Sequence, residues 1–174
     1  VPAIVMVQLL NESFFGSTLT ITETFSADGW NSGLANYLPL IGLVIAVASG
    51  YRLAKFNVDT RQTTSFIGLP TPANALLILS LPLILNFQSS EWIEEIILNK
   101  WFLLGLTLIS SMLLNAELPL FGLKFKTWDF KSNTIRYVFL GICALLLVLL
   151  KFIAIPIIIL IYILLSLLWK DNKN

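Results

Sequence analysis

The chain has 174 residues, of which 57% are hydrophobic and only 12% charged, with a mean hydropathy of +0.86. Soluble domains carry roughly 25% charged residues, so a wet surface over a compact soluble fold is excluded and an integral membrane protein is expected. A net charge of +1 without a run of Lys or Arg gives no footing for nucleic acid, and one cysteine, Cys143, allows no internal disulfide. With no histidine in the chain, a metal would need oxygen ligands and a general base would be a carboxylate.

Val1 to Leu10 is apolar but spans only about 15 Å as a helix, half a bilayer. It is expected to be a partial span. The first residue is not Met and no basic segment precedes the apolar one, so a signal peptide is not expected and the chain reads as a piece of a longer protein. Asn11 to Gly33 is polar, with Glu12, Glu23 and Asp28 and no Lys or Arg, and reads as a loop.

Leu34 to Asn57 reads as a full span. Gly42, Ala46, Gly50 and Ala54 recur every four residues on it, a small-residue stripe that lets a second helix approach and would allow a homodimer. Thr71 and Pro72 suit a helix start, and Pro72 to Phe87 is the next span, bent at Pro82. Gln88 to Lys100 reads as a loop carrying Glu91, Glu94 and Glu95, with a span following from Trp101 to near Ala116. After a loop over Glu117 to Asn133, two spans, Thr134 to Leu150 and Ile153 to Trp169, are separated by a tight turn at Lys151.

The expected fold is therefore all-α: a polytopic transmembrane helical bundle of five full spans plus one partial N-terminal span, forming a single domain over 1–174. Arg52, Lys55, Arg61, Lys124, Lys126, Lys131, Arg136, Lys170 and Lys173 fall on one side of this alternation, and only Lys100 and Lys151 on the other. Nine against two is a positive-inside bias, so the Arg52 end and the C-terminus are expected to be cytoplasmic.

Arg52 lies about 7 Å along the helix from Asn57, within the end of an apolar span. It either snorkels to headgroups or holds an anion. Lys55, one helical turn on, suits headgroup contact, and Asn57 suits a helix end or a hydrogen bond to a polar substrate. The Glu91, Glu94 and Glu95 group reads as a solvated face rather than a metal site. No phosphate-cradling glycine loop, metal-ligand cluster or nucleophile–base pair is visible in the sequence.

Two stretches carry a resemblance. Gly50-Tyr51-Arg52-Leu53-Ala54-Lys55-Phe56-Asn57 and Phe66-Ile67-Gly68-Leu69-Pro70-Thr71-Pro72-Ala73 resemble the bacterial CDP-diacylglycerol–serine O-phosphatidyltransferases (phosphatidylserine synthases) of the CDP-alcohol phosphatidyltransferase family. That family closes one span with Arg-Leu-Ala-Arg-Phe-Asn and opens the next with Gly-Leu-Pro-x-Pro. Lys55 replaces the second arginine, keeping the charge but not the bidentate fork. Leu118-Pro119-Leu120-Phe121-Gly122-Leu123-Lys124-Phe125-Lys126 is similar to a later cytoplasmic loop, and Val1-Pro2-Ala3 to residues just after the family's catalytic motif.

The resemblance implies phospholipid biosynthesis in the bacterial inner membrane. The phosphatidyl group of CDP-diacylglycerol would pass to L-serine, giving phosphatidylserine and CMP, with Mg2+ or Mn2+ as cofactor. It also implies that Arg52, Lys55 and Asn57 bind substrate and that the metal-binding, catalytic aspartates lie before Val1. The chain alone, holding no catalytic residue and no metal ligand of that motif, is expected to be inactive. Another acceptor such as glycerol phosphate, or a non-catalytic membrane scaffold or transporter piece, is the alternative.

Overall fold

The computed structural model describes residues 1–16, 34–58, 66–120 and 134–168. Helix α1 (Pro2–Phe15) is followed by a 3-10 segment (Leu34–Leu43) that runs into α2 (Val44–Val58). Then come β1 (Phe66–Ile67), α3 (Thr71–Phe87), a short α4 (Glu91–Ile97), α5 (Lys100–Asn115), β2 (Pro119–Leu120), α6 (Thr134–Leu150), a 3-10 turn (Lys151–Ile153) and α7 (Ala154–Leu168). The described chain is all-helical apart from the two-residue strands, which pair antiparallel as Phe66 with Leu120 and Ile67 with Pro119.

Consecutive legs alternate in direction, and a few side chains reveal it. Arg52 near the end of α2 meets Leu114 near the end of α5, while the stretch after β1 bonds back to Leu113 and Leu118. At the opposite end Gln88, just past α3, meets Leu150 at the end of α6, and Lys100 lies over the Phe14 ring of α1. One core joins Met6, Leu10, Ile45, Ile78, Leu81 and Leu103 from α1, α2, α3 and α5. A second joins Leu69, Leu77, Leu120, Phe139, Ile159 and Tyr162.

Among the described residues two stretches have the length and apolarity to cross a membrane, Tyr37–Asn57 (21 residues) and Arg136–Leu167 (32 residues). A third is added if α4 and α5, bent by 54°, are one broken span. The expected five full spans are not reached on this measure. The reason is length: of the expected full spans α3, at 17 residues, extends about 26 Å, short of a hydrocarbon core of about 30 Å, and α6 and α7 count as one stretch. Helix α1, expected as a partial span, has 14 residues, about 21 Å.

The Arg136–Leu167 stretch is not a straight rod. A continuous helix would separate Phe139 from Tyr162 by about 35 Å, yet their ring centroids lie 5.8 Å apart. The chain reverses at Lys151, whose φ of 49° places it in the left-handed region. The turn expected there is present, with α6 and α7 as its two arms. Gln88 fastens it from α3: its Nε2 donates to the Leu150 carbonyl at 3.1 Å, and its Oε1 accepts from the Phe152 and Ile153 amides at 2.7 and 3.3 Å.

Two local expectations are corrected. Helix α1 does not stop at Asn11 but runs to Phe15, because Asn11 is buried and Phe14 packs on the core one turn later; Gly16, at φ 65°, ends it. The acidic segment is not a loop: Glu91–Ile97 is helical, held by buried Ile97 with Ile93 against the same core. In the small-residue stripe, Gly42 makes a close contact within the chain. A Cβ there would sit 2.9 Å from the Val7 amide nitrogen, whereas Gly50 has open space and Ala46 and Ala54 are exposed.

Candidate functional site

The site grows out of the C-terminal turn of α2 and the stretch that opens α3. Helix α5 ends with carbonyls that have no partner further along the helix. Arg52 reaches one of them from 62 residues away, its Nη1 donating to the Leu114 carbonyl at 2.9 Å. A cation placed at a helix C-terminus also opposes the helix dipole. Three residues on, Lys55 Nζ lies 3.1 Å from Glu117 Oε1. Asn57 is exposed at the end of the helix, with no contact to the other two described.

Gly68 is what lets the second stretch approach. Its φ is +74°, and a Cβ there would lie 2.7 Å from the Ala116 carbonyl oxygen, 2.9 Å from that of Leu114 and 3.0 Å from Arg52 Nη1. Only glycine combines that backbone conformation with that spacing. The Gly68 amide then bonds to Leu118 and the Leu69 amide to Leu113, both at 2.9 Å. Helix α3 starts at Thr71 with Pro72 in its first turn, as the sequence suggests, and Pro70 stands as the residue before it.

Between these pieces lies a pocket of about 180 Å3, lined by Arg52, Leu53, Phe56, Pro70, Thr71 and Pro72. Arg52 and Lys55 therefore share one corner of the fold, and the two stretches separated by 58–65 face each other across it. The binding partners of Arg52 and Lys55, Leu114 and Glu117, carry no signal that sequence reasoning could use, since one offers a backbone carbonyl and the other is a lone acid.

Charge segregates between the two ends of the bundle. Among the described residues, Arg52, Lys55 and Arg136 with Glu117 stand at one end. Lys100 and Lys151 with Glu12, Glu91, Glu94 and Glu95 stand at the other. Arg61, Lys124, Lys126, Lys131, Lys170 and Lys173 lie outside the described residues. Among the described residues no group of three His, Cys, Asp or Glu side chains could hold a metal ion. They do not form a cage for the Mg2+ or Mn2+ that the resemblance implies.

No protein-family model matches the chain, and no curated protein matches it. The fold and site define a helical bundle of membrane character with a cationic pocket at one end.

Proposed function

We propose that the chain is the C-terminal membrane part of a CDP-alcohol phosphatidyltransferase that uses L-serine, making phosphatidylserine and CMP from CDP-diacylglycerol. One observation carries the reading: the stretches that resemble the family, around Arg52, Gly68–Pro72 and Leu118, lie far apart in sequence and meet at one corner. Convergence of that kind suits a shared ligand site. On this reading five full spans and a partial one cross the bacterial inner membrane, short helices being tolerated by local thinning of the bilayer. The Arg52 end and the C-terminus are cytoplasmic, in keeping with the excess of cations there.

Arg52 would hold an anionic group of the substrates, its planar fork matching a carboxylate or phosphate. Lys55 adds positive potential, and Asn57, exposed at the end of the same helix, a hydrogen-bonding amide. Metal-assisted displacement at phosphorus, which a divalent cation supports by neutralising developing charge, is assigned to aspartates preceding Val1.

Two measurements test this. Determining the coding sequence upstream of Val1 should reveal the clustered aspartates, and the complete protein should release CMP from CDP-diacylglycerol with serine in preference to glycerol phosphate. The 174-residue chain alone should release none. For topology, Glu94→Cys should be labelled from outside intact cells; labelling only after permeabilisation reverses the orientation. A second reading, a non-catalytic membrane scaffold, draws support from the internal ties of Arg52 and Lys55 to Leu114 and Glu117. An upstream sequence without an aspartate cluster would favour it.

A further inference from the structure

The pocket at Arg52 has walls of two kinds. Of its lining residues, Leu53, Phe56, Pro70 and Pro72 are apolar, and only Arg52 and Thr71 carry a polar side chain. None of them is Asp, Glu, Asn or Gln, so among these side chains only the Thr71 hydroxyl can accept from an ammonium. Thr71 and Pro72 form the first turn of α3, whose dipole adds its positive end to the charge of the guanidinium. The Leu114 carbonyl holds that guanidinium in place without neutralising it. Such a space suits a negative group joined to hydrocarbon.

The apolar walls also say from which side that group arrives. Leu53 and Phe56 are 62% and 44% exposed, although they stand near the end of an apolar stretch that can cross a membrane. The same face of α2 runs on inward through Gly50 and Ala46, three and seven residues before Leu53 and both exposed. Nothing lies within 4 Å of a Cβ built on Gly50. On α3, Pro72 is followed one turn further in by Leu76, which is 55% exposed. Exposed apolar helix faces at this depth meet acyl chains, so both walls open on the bilayer. Arg52 itself stands about 7 Å along the helix from Asn57, where a long cation reaches the level of lipid phosphates.

Resting on the reading of this corner as a substrate site, we infer that the pocket holds the phosphate of a diacyl glycerophospholipid entering from the membrane, not the carboxylate of a water-soluble acceptor. The phosphate takes the fork of Arg52. The glycerol and the first methylenes of the chains lie on Leu53, Phe56, Pro70 and Pro72. Arg52 then belongs to the lipid side of the transfer and takes no part in choosing serine over another acceptor.

The test is equilibrium binding to the purified 174-residue chain in dodecyl maltoside, read by native mass spectrometry. Dioleoyl phosphatidic acid is the probe. The competitors are dioleoylglycerol, which lacks the phosphate, and inorganic phosphate and L-serine, which lack the chains. Arg52→Gln should weaken binding of the probe about tenfold or more, since a charge-assisted bond is lost. Phe56→Ala, which removes no hydrogen-bonding side chain, should weaken it about threefold through lost apolar contact and unfold at the parent's midpoint. No competitor should displace the probe at equal concentration. Displacement by inorganic phosphate or serine makes this a site for soluble anions, which overturns the inference and leaves the proposed function intact. A parent chain that takes up no phosphatidic acid, or binding that neither variant weakens, overturns it as well. If serine binding is also unchanged in Arg52→Gln, Arg52 loses its part in the proposed function too.

Discussion

At each end of the bundle a polar side chain, Gln88 or Arg52, reaches across to another leg, and the two are used differently. At the Gln88 end every polar atom of the side chain is taken: one carbonyl and two amides of the reversal between α6 and α7 are met by a single carboxamide. At the Arg52 end the guanidinium also meets a helix carbonyl, yet Asn115, next to the Leu114 that supplies it, keeps a buried side-chain oxygen without a partner. A polar node that is saturated from within holds a fold together. One that is left short of donors costs some stability.

The largest expected effect breaks the Arg52 end at its backbone. Gly68→Ala puts a Cβ within 2.7 Å of a carbonyl oxygen at φ +74°, and neither atom belongs to a flexible side chain. Left-handed strain alone costs about 1–2 kcal/mol, so with the clash a loss of about 3 kcal/mol is expected, read as a lowered unfolding midpoint in detergent. The β1–β2 pairing should loosen with it, visible as faster amide exchange at Leu120. A Gly68→Ala variant as stable as the parent would mean the two stretches do not meet as described.

Next comes the saturated end. Gln88→Ala strands the Leu150 carbonyl and the Phe152 and Ile153 amides together, at about 1–3 kcal/mol for unsatisfied buried groups. Gln88→Glu keeps the acceptor for both amides but sets a carboxylate oxygen against the Leu150 carbonyl in place of the donor, so it should recover only part of the loss. If the two variants unfold alike, the amides of the Lys151–Ile153 turn are not held by this side chain. Neither substitution should alter lipid binding at the Arg52 pocket, which separates this end from the other.

Much of the architecture could be read before any coordinates. Lys151, alone within about thirty apolar residues, marks the reversal, and Thr71-Pro72 marks the start of α3. What escaped was whatever depends on a partner far along the chain. Gln88 looks like the first residue of a loop because nothing local says it will meet residues 62 to 65 positions later. The short α4 was hidden because its glutamates dominate the pattern while Ile93 and Ile97 supply the burial. Arg52 was legible as an unusual cation, but the Leu114 carbonyl was not, since every residue carries one. Nor could sequence tell Ser110 from Ser111. They differ only in that one hydroxyl bonds back to Thr107 and the other does not.

The smallest expected effect concerns Lys55 and Glu117, and it bears on whether the Arg52 end is built for support or for a ligand. The pair is close, at 3.1 Å, but its side chains are 33% and 68% exposed, so water and salt screen it. Exposed pairs contribute up to about 1 kcal/mol and often nothing measurable. Glu117→Gln should therefore shift the unfolding midpoint little, and raising the salt concentration should erase the difference. Its effect on ligand binding should have the opposite sign. Removing the carboxylate frees Lys55 and makes the pocket's rim more positive, so an anionic ligand such as phosphatidic acid should bind somewhat more tightly, most visibly at low ionic strength. A clear, salt-resistant loss of stability without any gain in anion binding would instead make Lys55 and Glu117 a structural strap. It would move the cationic corner closer in kind to the saturated end across the bundle.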